Sequence, residues 1–73
     1  MRHLLDLKGL KCPMPVLKTA RLLAQVESGS EIEVICTDPM SEIDIPHLVQ
    51  SEGHALIGQN RQADQFVYVI RKA

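Results

Sequence analysis

At 73 residues and 8.2 kDa, the chain is one domain's worth of polypeptide, too short for a second domain or a large enclosed cavity. With 45% hydrophobic and 23% charged residues, four Gly and four Pro, it is neither disordered nor collagenous in composition. Eight basic against nine acidic side chains leave a net charge of -1, which disfavours non-specific binding to nucleic acid.

No apolar run approaches the roughly 20 residues that cross a bilayer, and Met1 to Lys8 lacks the apolar core of a signal peptide, so a soluble cytoplasmic protein is expected. Without Trp, and with one Phe and one Tyr, the core must be built of Leu, Ile and Val. Their burial has to offset on the order of 100 kcal/mol of backbone entropy. No repeat or linker interrupts the chain, and residues 1–73 are read as a single domain.

The first element is a short strand, His3-Leu4-Leu5-Asp6-Leu7, closed by Gly9. From Pro13 to about Glu27, Val16, Leu17, Ala20, Leu23 and Ala24 recur at spacings of three and four, the mark of an amphipathic helix. Ser28-Gly29-Ser30 ends it, with Gly29 available for a left-handed cap. Glu31 to Thr37 is rich in β-branched residues and reads as the central strand. A second, short helix carries Ile45, Leu48 and Val49; Ser41 or Asp44 can cap it, Pro46 fits only in a first turn, and Gly53 closes it. Ala55-Leu56-Ile57 and Phe66 to Ile70 read as a hairpin joined by a polar loop around Asn60 to Asp64. The order βαβαββ, with too few helices to cover both faces of a sheet, predicts a two-layer α/β sandwich: a four-stranded mixed sheet with both helices on one face.

The most informative stretch is Gly9-Leu10-Lys11-Cys12-Pro13-Met14-Pro15, which sets a thiol where a strand hands over to a helix. The reading places Cys12 at the N-cap, Pro13 at the first helical position and Pro15 in the first turn, so the turn is rigid and only the Met14 N–H is free to reach the sulfur. The helix start favours an anion by about 0.3 to 1 kcal/mol, less than one unit of thiol pKa. Lys11, with Lys8 and Lys18 nearby in sequence, adds positive potential. A thiol pKa below the free value of about 8.5, and a nucleophilic Cys12, are therefore expected. Pre-set prolines lose little freedom on docking, so the thiol sits on an apex suited to a partner. A purely structural Cys12 would be an odd choice, because Ser, Asp or Asn caps better.

Cys36 lies in the most apolar strand and reads as a core thiol; a resolving role or a disulfide would need its Cα within about 7 Å of that of Cys12. His3, His47 and His54 lack zinc-ligand spacing and read as solvated or packing side chains, so neither a metal nor another cofactor is expected. Asp38-Pro39 and Asp44-Ile45-Pro46 read as turn and helix-start chemistry, and Arg71-Lys72 as a short basic tail with at most a contact role.

The block from Leu5 to Lys18, with Thr37-Asp38-Pro39, Asp44-Ile45-Pro46 and the closing Tyr68-Val69-Ile70-Arg71, resembles the TusA-like (SirA-like) sulfur-carrier family over nearly the whole chain. The resemblance implies the βαβαββ sandwich and a persulfide formed on Cys12. The sulfur would come from a cysteine desulfurase or rhodanese and pass to a downstream sulfur-relay protein. Cys12 is then the catalytic residue of a sulfurtransferase-type carrier. Gly9, Lys11, Pro13 and Pro15 support the motif, and Met14 and Lys18 contact partners. Met14 stands where family members linked to tRNA thiolation carry an acidic residue, so the destination stays open between tRNA thiolation, molybdenum-cofactor enzymes and sulfur metabolism. A monomer is expected, with no nucleic-acid or membrane partner. The alternative is a redox-sensing or regulatory module that docks through the same proline-flanked apex.

Overall fold

The computed structural model describes residues 2–73. Six elements follow in the expected order: β1 Arg2–Leu7, α1 Met14–Gln25, β2 Glu31–Cys36, α2 Ser41–Ser51, β3 Ala55–Gln62 and β4 Gln65–Arg71. The sheet runs β1-β2-β4-β3, with β1 parallel to β2 and the other pairs antiparallel. The strand Glu31–Cys36 is therefore interior, as the sequence suggested, and shares the centre with β4.

Alternation decides the layers. In β2 the side chains of Ile32, Val34 and Cys36 are buried, and in β4 those of Phe66, Tyr68 and Ile70. Leu23 of α1 and Ile45, Leu48 and Val49 of α2 join them in one cluster, so both helices cover the same face. The result is the predicted two-layer α/β sandwich. The core-facing stripe of α1 runs through Val16, Thr19, Ala20 and Leu23, the i, i+3, i+4, i+7 set, with the Thr19 hydroxyl donating to the Pro15 carbonyl at 2.7 Å. Leu17 and Ala24, expected on that stripe, fall to its flank and are exposed. Among the described residues, no helix is long and apolar enough to cross a membrane.

Several boundaries differ from expectation, each for a physical reason. The helix α1 stops at Gln25 with Val26 as its cap, and Gly29 instead serves a turn closed by the Ser30 N–H on the Glu27 carbonyl, at φ 86°. The tail expected to be a mere contact ties this end together. Lys72 Nζ donates to the Val26 carbonyl at 3.0 Å, its backbone pairs with Gly29 and Ser30, and Arg71 pairs with Glu31. The helix α2 begins at Ser41, which puts Pro46 in the second turn rather than the first. The strand β3 is far longer than Ala55–Ile57: Asn60, Arg61 and Gln62 pair with β4 through their backbones, leaving a turn of Ala63 and Asp64 only. Ala63 takes a positive φ of 53° there. A register shift between Leu56 and Gly58 brings Arg61 opposite Phe66, and its guanidinium lies over that ring at 5.3 Å.

Candidate functional site

Parallel pairing makes β1 and β2 end at the same edge of the sheet, and each is followed by a loop and a helix start. In sheets of this kind, sites collect beyond the carboxyl ends of the strands. The two loops are joined directly. The Gly9 N–H donates to Thr37 Oγ1 at 2.9 Å, and the Cys12 N–H donates to Asp38 Oδ2 at 2.6 Å. Gly9 can fill this role because the turn closed by the Leu10 N–H on the Leu7 carbonyl needs its φ of 84°. Asp38 also accepts the Met40 N–H at 3.1 Å, and its carbonyl accepts that of Ser41. One carboxylate thus positions the thiol-bearing residue and begins α2.

Cys12 is exposed at this apex. It does not cap the helix. The peptide bond to Pro13 is cis, Pro13 itself stands at the N-cap, and Pro15 is the second helical residue. The Met14 N–H donates to the Lys11 carbonyl at 2.9 Å instead of to the sulfur. The thiol turns the other way and donates to Asp44 Oδ2 at 3.2 Å. This reverses the expected electrostatics. The hydrogen bond to Asp44 holds the thiol above its ordinary pKa; slight desolvation and the charges of Asp44 and Asp38 push in the same direction. The helix start and the lysines do not prevail, because a carboxylate in contact outweighs exposed cations at longer range. Lys8 pairs with Asp6, and Lys11 acts on Asp38, whose carboxyl is held below the usual range chiefly by the Cys12 and Met40 amides.

Cys12, singled out by its motif, thus stands exposed at this edge, with Asp38 and Asp44, which read as turn and helix-start residues, hydrogen-bonded to it. Asp38 does the turn chemistry expected of it and also binds Cys12. Asp44 caps nothing. The signal available was topological: two Pro-containing segments, each following one of two strands that the βαβ order makes parallel.

The two helix starts also expose apolar side chains. Six large hydrophobic side chains are markedly exposed among the described residues, and four of them, Met14, Leu17, Met40 and Ile43, lie at the starts of the two helices. Lys18 sits a turn along α1, on a shallow groove with Leu5, Arg21, Leu22 and Gln25. Cys36 is fully buried, both cysteines are free thiols, and burial pushes the Cys36 thiol up. His54 packs, accepting the Ala73 N–H on Nδ1 at 3.0 Å, while His3 and His47 line separate grooves. No described cluster of His, Cys, Asp or Glu could hold a metal ion.

A family model described as Sulfurtransferase TusA matches residues 3–72. The chain belongs to the TusA family. Sulfur carrier protein TusA of Pseudomonas entomophila (strain L48) is 40% identical over 68 residues, covering 93% of this chain and 85% of that protein. Putative sulfur carrier protein YrkI of Bacillus subtilis (strain 168) is 38% identical over 68 residues, 93% of this chain and 91% of its own. Sulfur carrier protein TusA of Pseudomonas aeruginosa (strain LESB58) is 38% identical over 69 residues, 94% and 87%. These relatives support a sulfur-carrier role, which entails a sulfur donor and an acceptor protein.

Proposed function

We propose that Cys12 accepts a sulfane sulfur as a persulfide from a cysteine desulfurase or rhodanese and relays it to an acceptor protein. One observation carries the reading: an exposed thiol stands at the edge where both helices begin, its backbone fixed by Asp38 from the facing loop. Both donor and acceptor must reach the same atom, which an apex allows and a cleft does not. The exposed Met14, Leu17, Met40 and Ile43 supply apolar contact area, and the proline-set turn requires little ordering on docking. Lys18, with Arg21, offers a basic flank to acidic groups on a partner. Gly9, Lys11, Pro13 and Pro15 shape the loop that presents the sulfur.

The chemistry needs no bound cofactor. A thiolate displaces at the outer sulfur of a donor persulfide as it does at a disulfide. The redox-sensor alternative is the weaker reading, because sensor cysteines are often poised beside a resolving cysteine and the second cysteine of this chain, Cys36, is sealed in the core.

Incubation with a cysteine desulfurase and radiosulfur-labelled cysteine tests the proposal. Label released by dithiothreitol should appear on the unaltered chain and on Cys36→Ser, be absent from Cys12→Ser, and move on to an acceptor in a chase. Label retained by Cys12→Ser would contradict it.

A further inference from the structure

Resting on that carrier reading, we propose that Asp44 is a catalytic residue of the transfer: its carboxylate takes the Cys12 proton during loading and returns a proton during unloading. Asp44 Oδ2 lies 3.2 Å from Cys12 Sγ, and the thiol is the one hydrogen-bond donor to that carboxylate among the described residues. An acidic side chain in the first turn of a helix ordinarily turns back on the free amides there. In α2 those amides are already engaged: Ser41 donates to the Asp38 carbonyl, Glu42 to that of Pro39, and Ile43 and Asp44 to that of Met40. The Asp44 carboxylate is thereby left for the sulfur, across the boundary between the two loops.

Among the described residues, no other base is hydrogen-bonded to the thiol. Asp38 spends its carboxylate on the Cys12 and Met40 amides. His54 is occupied with Ala73, and Glu42, in the same first turn as Asp44, faces Arg61. Among the described residues, the charged groups acting on the sulfur are Asp44 from α2 and Asp38 from the loop after β2, while Lys11, on the thiol's own loop, acts on Asp38.

The step balances as Cys12–SH + R–S–SH giving Cys12–S–SH + R–SH. The Cys12 sulfur attacks the outer sulfur of the donor persulfide while Asp44 takes its proton. A new S–S bond forms, the donor S–S bond breaks, and the electron pair leaves on the donor's inner sulfur. The proton on Asp44 passes to that thiolate, which regenerates the carboxylate. Sulfane sulfur changes hands with no external oxidant or reductant. Unloading is the reverse, with an acceptor thiol in place of the donor.

Such a base has a distinctive signature. Its negative charge suppresses the free thiolate, yet it accelerates the one reaction in which the proton must be handed on. Asp44→Asn should therefore move two rates in opposite directions. Alkylation of Cys12 by iodoacetamide, followed by peptide mass mapping, should shift its pH midpoint downward and run several-fold faster at neutral pH. Single-turnover sulfur uptake from a persulfidated cysteine desulfurase should fall roughly a hundredfold, within the range of general-base effects. Asp44→Glu should restore part of the uptake, and circular dichroism establishes that each variant is folded. Uptake by folded Asp44→Asn that equals or exceeds that of the unaltered chain would overturn the proposal, as would a parallel loss of alkylation and uptake. If the unaltered chain takes up no sulfur on Cys12, the carrier reading fails first, and the Asp44 proposal with it.

Discussion

At the scale of single residues, two hydroxyl side chains meet inside the core. Tyr68 and Ser41 are buried and share a hydrogen bond of 2.9 Å between their hydroxyls. A buried hydroxyl that loses its partner costs about 1 to 3 kcal/mol, whereas removing both partners is closer to neutral. Tyr68→Phe should thus lower stability by about 1 to 2 kcal/mol in urea unfolding. The double variant Tyr68→Phe with Ser41→Ala should lose less than the sum of the two single changes. Additivity within error would show that the pair is not coupled. The pairing was not legible in sequence, since 27 positions separate the partners. Cys12 was legible because its glycine and prolines fall in one short stretch, Gly9 to Pro15; Asp44 was not, at 32 residues away.

At the scale of elements, periodicity fixed the type of every helix and strand, and local chemistry misplaced their ends. The helix α1 starts one residue late because its first bond runs from the Leu17 N–H to the Pro13 carbonyl, while the Met14 N–H closes a turn on Lys11. The strand β3 runs through Asn60 to Gln62 because an edge strand pairs by backbone, which side-chain polarity does not report. The junction between the two loops has a testable pH dependence. Asp38 is held below its ordinary pKa by amides from both, so its contribution to stability is fully present above the unfolded value of about 3.9 and is lost as pH falls through the lower folded value. Asp38→Asn should lower Tm by roughly a few degrees at neutral pH, a shift suited to a domain of this size. The gap to the unaltered chain should narrow as pH drops below 4 and close once it passes the lowered folded value, where the native carboxylate is protonated as well. A gap constant from pH 7 to 2 would mean that the Asp38 charge is not what holds the loops together.

At the scale of the whole molecule, parallel pairing of β1 with β2 accounts for the site. It brings two chain segments, each unremarkable as a turn, to one edge, where one supplies the sulfur and the other the two carboxylates that hold and face it. The sandwich behind them has one core, and its second cysteine is sealed within that core. On the proposed function, sulfur is loaded on one atom, Cys12 Sγ. The most direct test is intact-protein mass spectrometry of the reduced chain after exposure to a cysteine desulfurase with cysteine and, separately, to inorganic polysulfide. Gain of a single sulfur, roughly 32 Da, is expected in the unaltered chain and in Cys36→Ser and should be lost in Cys12→Ser. No gain from either source, or a gain that persists in Cys12→Ser, would contradict a persulfide carrier centred on Cys12.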